Sequence, residues 1–175
     1  MTAVVPTAEQ ETRFWDLLES AWSALGPEPN ALRHRLAERP RTLGEDELYA
    51  LDPFLAPFLE RLESLCEGMT STELTDLDRV LERALHEIDR ADVHEVTDGS
   101  DDGFLYARGF IVAAGREFFE AVRADAEMAI LDADCEEMCY FFDRLHRKAF
   151  DDYTDTGSGI SRESCTNTAH WPDLA

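Results

Sequence analysis

Apolar residues recur with the spacing of an α-helix along nearly the whole chain. In the first segment, Phe14, Leu18, Ala21 and Leu25 fall on one stripe, which is the pattern of an amphipathic helix. No stretch of useful length alternates apolar and polar residues with the period of two that indicates a half-buried strand. The periodicity therefore predicts an all-α protein.

A length of 175 residues is typical of one domain with a substantial core. The pattern predicts a single compact helical bundle of about five to seven helices, with a short polar segment before it (1–8) and a polar tail after it (154–175). Two long helices, at about 101–124 and 134–153, should form the core. The other helices are predicted at about 9–25, 31–38, 45–66 with interruptions at Pro53 and Pro57, and 70–93.

The chain is strongly acidic, with 38 Asp and Glu residues against 16 Lys and Arg residues and a formal net charge of −22. A surface of this sign repels the phosphates of nucleic acid, so no nucleic-acid partner is expected. Two interpretations of the acidity stay open. It can serve solubility or a salt-rich cytoplasm, or it can attract a basic protein partner.

No segment has the roughly 18 apolar residues of a membrane span, and the first ten residues lack the features of a signal peptide. We therefore expect a cytoplasmic protein that does not enter a membrane. Four cysteines without C-x-x-C spacing indicate free thiols rather than a disulfide scaffold or a zinc ribbon. The sequence predicts no metal and no cofactor.

The most unusual local feature is an arginine on the apolar side of a predicted helix. Ser100 is a suitable N-cap, and Asp101 and Asp102 occupy the first turn, where the helix dipole favours negative charge. Arg108 falls within the apolar arc that runs from Phe104 onwards. Its side chain should point back toward the first turn.

Three interpretations of Arg108 follow. A buried ion pair with Asp101 would fix the entrance of the helix. Alternatively, Arg108 binds a carboxylate or phosphate in a pocket where Asp101 or Asp102 acts as base or ligand, with Tyr106 and Trp15 in the wall. In the third interpretation the helical phase is different and Arg108 reaches solvent. Gly115, two turns further along, leaves space for a side chain or ligand from elsewhere.

Two further sets of chemically suitable side chains each share a helix face. Cys135, Cys139, Asp143 and His146 have spacings that can chelate a metal, but a buried structural role is the favoured interpretation because thiolates and carboxylates form an uneven ligand set. Glu82, His86 and Asp89 lack the spacing of a di-iron site and are interpreted as a solvated face. The common catalytic motifs are absent from the sequence.

Several short motifs together resemble a known bacterial family. The motifs are Phe14–Glu19, Ser100–Phe104, Arg108-Gly109, Gly115–Glu117 and Cys135–Glu137 with the aromatic residues up to Tyr153. They are similar to those of domain-of-unknown-function family 4240, over roughly residues 12 to 157. This chain departs from the family pattern at Phe110 and Ala114, where a Trp and a Gln are expected. The resemblance implies no established activity.

Two function classes are compatible with these observations. The first is a binding or regulatory module, such as an accessory or immunity-type protein that engages a basic protein partner. The second is a small enzyme or ligand-binding protein that uses Asp101, Asp102 and Arg108 on a polar metabolite. The acidic surface and the missing catalytic motifs favour the first class.

Overall fold

The structure is a computed structural model that describes residues 3–39, 43–97 and 100–171. Its helices are α1 (Ala8–Ser23), α2 (Pro27–Glu38), α3 (Glu45–Leu48), α4 (Asp52–Cys66), α5 (Ser71–Glu87), α6 (Ala91–Thr97), α7 (Asp101–Ala113), α8 (Arg116–Ala124), α9 (Glu136–Cys139) and α10 (Phe141–Phe150). Short 3-10 turns lie at Ala126–Met128 and Thr168–His170. The described residues contain no strand, which confirms the all-α prediction. They contain ten α-helices rather than five to seven, because several predicted helices are divided.

Helices α1 and α5 each begin with a threonine N-cap, and the same hydrogen-bond motif stabilises both helix starts. In α1, the Thr7 hydroxyl accepts a hydrogen bond from the Gln10 amide, and the Gln10 side chain accepts one from the Thr7 amide. In α5, Thr70 and Glu73 form the equivalent reciprocal pair. These capping boxes satisfy amide groups that a helix start leaves without intrahelical partners.

The core is centred on the apolar stripe of α1, which packs against α4 and α5. Trp22 is fully buried, stacks on Phe58 with 4.3 Å between the ring centroids, and donates a hydrogen bond of 2.7 Å to the Ala113 carbonyl. Large apolar side chains with almost no exposure also include Phe14, Phe104, Phe110, Phe118, Phe141, Phe142, Leu18, Leu36 and Leu51. The predicted stripe of the first helix is therefore at the centre of the protein.

The predicted helix 101–124 is in fact two helices, α7 and α8, that meet at Gly115. Gly115 has φ +103°, a conformation that only glycine adopts without strain. A buried side chain from α2 packs closely against this turn: a methyl group on Gly115 would lie 2.4 Å from Nη1 of Arg33. Gly115 therefore does leave space for a side chain from elsewhere.

The predicted helices 134–153 and 70–93 are also divided. Tyr140 has φ −128° and ψ 29° and separates α9 from α10, which ends at Phe150 rather than Tyr153. At this break the Cys139 carbonyl accepts a hydrogen bond of 2.8 Å from the Arg162 side chain. In the other predicted helix, α5 ends at Glu87 and α6 begins at Ala91. Main-chain groups that would be hydrogen-bonded within a continuous helix thus form tertiary hydrogen bonds instead.

The polar tail lies against the body of the protein as far as Trp171, the last described residue. Its Ser158 and Arg162 are buried, with 2% and 7% exposure, although they belong to a segment without a long helix. Trp171 packs edge-on against Phe104 and His94. The tail therefore forms part of the core packing.

Candidate binding sites

Arg108 is fully buried, as the apolar arc predicted. The Ser100 hydroxyl caps α7 by accepting from the Gly103 amide at 3.0 Å, and Arg108 projects from the second turn. Its Nη1 donates to the Leu85 carbonyl at 2.9 Å, and its Nη2 donates to the Ser164 hydroxyl at 3.1 Å. Because Leu85 is in the last turn of α5, where carbonyls lack intrahelical donors, Arg108 caps that helix.

The predicted ion pair between Arg108 and Asp101 is replaced by an indirect link. Ser164 donates from its hydroxyl to the main-chain carbonyl of Asp101 at 2.5 Å, while the Asp101 and Asp102 side chains are exposed. Within residues 3–39, 43–97 and 100–171, Arg108 forms no salt bridge. Burial lowers the pKa of Arg108, and the nearby Asp89 carboxylate opposes that shift.

The remaining two predicted site residues lie away from the Arg108 guanidinium contacts. The Tyr106 hydroxyl lies beside Glu136, whose charge is the main cause of the raised pKa of Tyr106. Trp15 is 6% exposed and packs against Phe119 with 5.1 Å between the ring centroids. The five predicted residues therefore do not line one pocket.

Trp15 instead lines a pocket of about 180 Å³ between α1, α2 and α8. Here Arg33 forms two hydrogen bonds with Glu19, of 2.6 and 3.0 Å, and a third, of 3.0 Å, with the Ala114 carbonyl. Burial raises the pKa of Glu19 despite this partner and lowers the pKa of Arg33. Ala114 contributes only a methyl group to the lining of this pocket.

The residues with metal-chelating spacing have structural partners. Cys139 donates through its Sγ to the Leu105 carbonyl at 3.4 Å, and burial raises the pKa of Cys135 and Cys139 to about 12. The His146 ring forms hydrogen bonds of 2.7 Å with the Ser71 hydroxyl and with the Asp152 carbonyl. In the part of the chain that the structure describes, no cluster of three His, Cys, Asp or Glu side chains could hold a metal ion.

The prediction that Glu82, His86 and Asp89 form a solvated face is wrong, because the tail covers it: Glu82 and Asp89 are buried, and the half-buried His86 ring forms a hydrogen bond of 3.1 Å with the Ser161 carbonyl. Asp78, Glu82 and Asp89 fall on one line along the α5 direction, and we call them the acidic stripe; their exposures are 0%, 8% and 0%. The stripe is buried because the tail supplies hydrogen-bond donors along its length. Sequence reasoning missed Asp78 and the tail donors altogether.

Arg162 is the main cationic partner of the acidic stripe. It donates to both carboxylate oxygens of Asp78, at 2.9 and 3.1 Å, and lies 3.5 Å from Glu82. Hydroxyl groups of the extended tail complete the set: Thr154 donates to Asp78 at 2.7 Å and Thr156 donates to Glu82 at 2.7 Å. The two buried carboxylates therefore have a matching set of donors.

Asp89 binds the end of the tail. Its carboxylate accepts from three successive main-chain amides, those of Cys165, Thr166 and Asn167, at 2.7–2.9 Å. It also accepts from the Trp171 indole at 3.0 Å. An acceptor with this many donors fixes the conformation of the segment around it.

Two surface depressions flank α10. The first, which we call the apolar groove, has a volume of about 500 Å³ and lies between the end of α4, the start of α5 and α10. Its walls are mostly apolar side chains, with carboxylates on the rim. The second, the polar cleft, has a volume of about 670 Å³ and lies between α10 and the tail. Both volumes are in the range of ligand-binding pockets.

No described helix is both long and apolar enough to cross a membrane. Residues 52–155, more than half of the chain, match the family described as a protein of unknown function, DUF4240. The chain belongs to the DUF4240 family. No curated protein and no solved structure matches it. The range matched to DUF4240 begins with α4 and includes Arg108, the acidic stripe and α10, whereas Trp15 and the tail beyond Asp155 lie outside it.

Proposed function

We propose that the protein is an acidic binding module that accepts a basic, amphipathic helix of a partner protein in the apolar groove. The proposal depends on one observation, which is an exposed apolar floor bordered by carboxylates. Phe150 is 44% exposed on this floor, next to Leu145 and Ala149 of the same helix. Such a groove between helices suits the apolar face of an incoming helix.

The rim supplies the charge that a basic partner requires. Glu63 and Glu67 border the groove at the end of α4, and Glu60 shares their side of the helix by its spacing. Lys148 lies at the opposite edge and is paired with Glu63 at 2.7 Å, which raises the pKa of Lys148. With a net charge of −22 for the whole chain, the field around the groove should accelerate association with a cationic segment.

The expected occupant has apolar residues at i, i+3, i+4 and i+7 and Lys or Arg residues on its flanks. We place this role in the cytoplasm of a bacterium, as an accessory or immunity-type function. The four free cysteines support a reducing compartment. The alternative class, an enzyme or ligand-binding protein built on Asp101, Asp102 and Arg108, has less support because the Arg108 guanidinium is enclosed by α5 and the tail.

The test uses two labelled 18-residue helical peptides that differ only in the sign of their charged residues, one of Leu and Lys and one of Leu and Glu. Fluorescence anisotropy gives the Kd of each peptide at low and high salt. We expect only the Leu/Lys peptide to bind. Its Kd should rise with salt, because salt screens the attraction between the rim carboxylates and the peptide lysines. Phe150→Ser should weaken binding about tenfold or more, as loss of a central aromatic contact does.

The matched control is Leu131→Ser, which removes an apolar side chain that is 56% exposed and lies outside the groove. This variant should bind the peptide like the parent protein. Equal binding of the two peptides, or equal effects of Phe150→Ser and Leu131→Ser, would overturn the proposal. Amide chemical shifts should change along the ends of α4 and α10, and changes confined to other helices would also count against it.

A further inference from the structure

The polar cleft on the other side of α10 contains arginines that the protein itself does not neutralise. Arg144 and Arg147 line the cleft, and both are exposed. Both lie over aromatic rings: the Arg144 guanidinium carbon lies 5.7 Å from the Phe141 ring centre, and that of Arg147 lies 4.4 Å from the Tyr153 ring centre. Neither arginine forms a salt bridge with another residue in the described part of the chain.

The chain has more than twice as many acidic as basic residues, yet these two exposed arginines have no carboxylate partner among the described residues. Within the described ranges, seven other arginines are paired with carboxylates, namely Arg13, Arg33, Arg35, Arg79, Arg90, Arg123 and Arg162, and five others are not, namely Arg39, Arg61, Arg83, Arg108 and Arg116. What distinguishes Arg144 and Arg147 is that they lie side by side in one cleft. Arg144 and Arg147 stand three residues apart on one face of α10, where like charges destabilise a helix by a few tenths of a kcal/mol. Two adjacent arginines without carboxylate partners at a cleft form a candidate anion-binding site.

The carboxylates of the same cleft already have partners within the protein. Asp143 accepts from the Thr154 amide at 2.9 Å and from its hydroxyl at 3.0 Å. Glu163 accepts from the Tyr140 hydroxyl, Glu136 lies beside the Tyr106 hydroxyl, and Glu82 belongs to the acidic stripe under the tail. The cleft therefore combines four carboxylates that contact other groups of the protein with two arginines that have no carboxylate partner in the part of the chain that the structure describes.

We propose that the polar cleft binds a small phosphate monoester that carries a planar ring. The planar guanidinium groups of Arg144 and Arg147 match the geometry of phosphate oxygens, to which they can donate paired hydrogen bonds. Tyr153 is 64% exposed and has Arg147 over its ring, so the exposed tyrosine offers a flat surface beside the cations. A ring attached to the phosphate stacks on this surface.

The proposal is tested with adenosine monophosphate, inorganic phosphate and adenosine as probes, each titrated by calorimetry into the full chain. Adenosine monophosphate should bind more tightly than inorganic phosphate, and adenosine should not bind measurably. Arg144→Gln and Arg147→Gln should each weaken binding of the nucleotide about tenfold or more, because each removes charge-assisted hydrogen bonds. Tyr153→Leu should reduce the affinity of the nucleotide to that of inorganic phosphate.

Arg123→Gln is the matched control, since Arg123 is exposed, carries the same charge and pairs with Glu87 and Glu120 outside the cleft. It should leave the nucleotide affinity unchanged, and so should Phe150→Ser in the apolar groove. All these positions are exposed, so thermal melting should show folded variants. No heat of binding with adenosine monophosphate, or equal losses in Arg123→Gln and Arg147→Gln, would overturn the proposal. Failure of the peptide experiment leaves this result unaffected, because the two sites use different faces of α10.

Discussion

Gly109 of α7 passes so close to Cys135 that a methyl group on Gly109 would lie 2.4 Å from the Cys135 carbonyl oxygen. The same methyl group would lie 2.8 Å from the Sγ atom of Cys139. The side of α7 that carries Gly109 is covered by α9. The short α9 can lie directly on α7 because this position has no side chain.

Gly109→Ala should therefore destabilise the protein even though alanine is the better helix former. The obstacle is a main-chain carbonyl that cannot rotate away, so overpacking should lower the free energy of unfolding by about 1–3 kcal/mol. Urea denaturation of the variant and the parent gives this difference. Gly44→Ala is the control, because a methyl group there meets no atom within 4 Å and the change should stay within about 0.5 kcal/mol. Similar midpoints for both variants would contradict the close packing of α7 and α9.

A second prediction separates the two possible roles of Asp101. Because Asp101 contributes its main-chain carbonyl to Ser164, Asp101→Asn should change stability by less than about 1 kcal/mol, the size of a helix-dipole effect. Arg108→Met should cost about 1–3 kcal/mol, since it leaves the buried Leu85 carbonyl without a donor. The melting temperatures of the two variants, each compared with that of the parent protein, distinguish the two roles. Equal, large losses would instead indicate a direct ion pair between the two side chains.

Some features of the fold could be predicted from the sequence because they depend on local spacing. The apolar stripe around Phe14 and the buried position of Arg108 follow from a period of 3.6 residues, and the Ser100 cap follows from the preference of serine for the N-cap position. The divisions of the helices could not be predicted in this way. At Gly115 the turn packs against Arg33, which is far away in the sequence, and a glycine inside an apolar helix is not by itself a signal of a break.

The packing of the tail against the acidic stripe is the feature that helical periodicity could least predict. Thr154, Thr156 and Ser158 alternate with the period of an extended chain, and all three donate to carboxylates of the acidic stripe. That stripe has helical spacing along α5 and just past its end, so a row of acidic residues and a row of hydroxyl donors were both visible in the sequence. The pairing of the two rows brings together residues that are more than 70 positions apart in the sequence. Neither row alone indicates that the other packs against it. Tyr153, the last residue of the predicted helix 134–153, is exposed because α10 ends before it.

The third prediction concerns the salt bridges that hold the tail. Arg162→Met should lower the free energy of unfolding by about 3–5 kcal/mol, because it leaves Asp78 charged and buried without its partner. The double variant Asp78→Asn/Arg162→Met should cost less than the sum of the two single variants, since the unpaired charge is removed. Urea denaturation measures all three.

Arg123→Met is the control for this prediction, because its pair with Glu87 is exposed and should contribute less than about 1 kcal/mol. Hydrogen exchange adds a local measurement: the amides of Cys165 and Asn167, which donate to Asp89, should lose protection in Arg162→Met. If Arg162→Met and Arg123→Met have equal effects, the tail is not anchored by Arg162.

The two capping boxes give the last prediction, because they have the same geometry and differ in one ionisable group. Hydrogen bonds from Thr70 and the ion pair with Arg13 lower the pKa of Glu73 from 4.5 to about 2, whereas Gln10 has no titratable group. A carboxyl group whose pKa is lower in the folded state stabilises the protein above its unfolded pKa. That contribution is lost as the pH falls from about 4.5 through about 2.

Glu73→Ala should therefore destabilise the protein at pH 7 and have a much smaller effect near pH 2.5. Gln10→Ala removes the equivalent contact with Thr7 in α1, and its effect should be nearly independent of pH. Denaturant unfolding of the parent and both variants at several pH values between 7 and 2.5 gives the two differences directly. If the effects of Glu73→Ala and Gln10→Ala change with pH in the same way, the pH dependence does not arise from the Glu73 cap. The ion pair with Arg13 can then be tested separately with Arg13→Met, which should raise the pKa of Glu73 without opening the capping box.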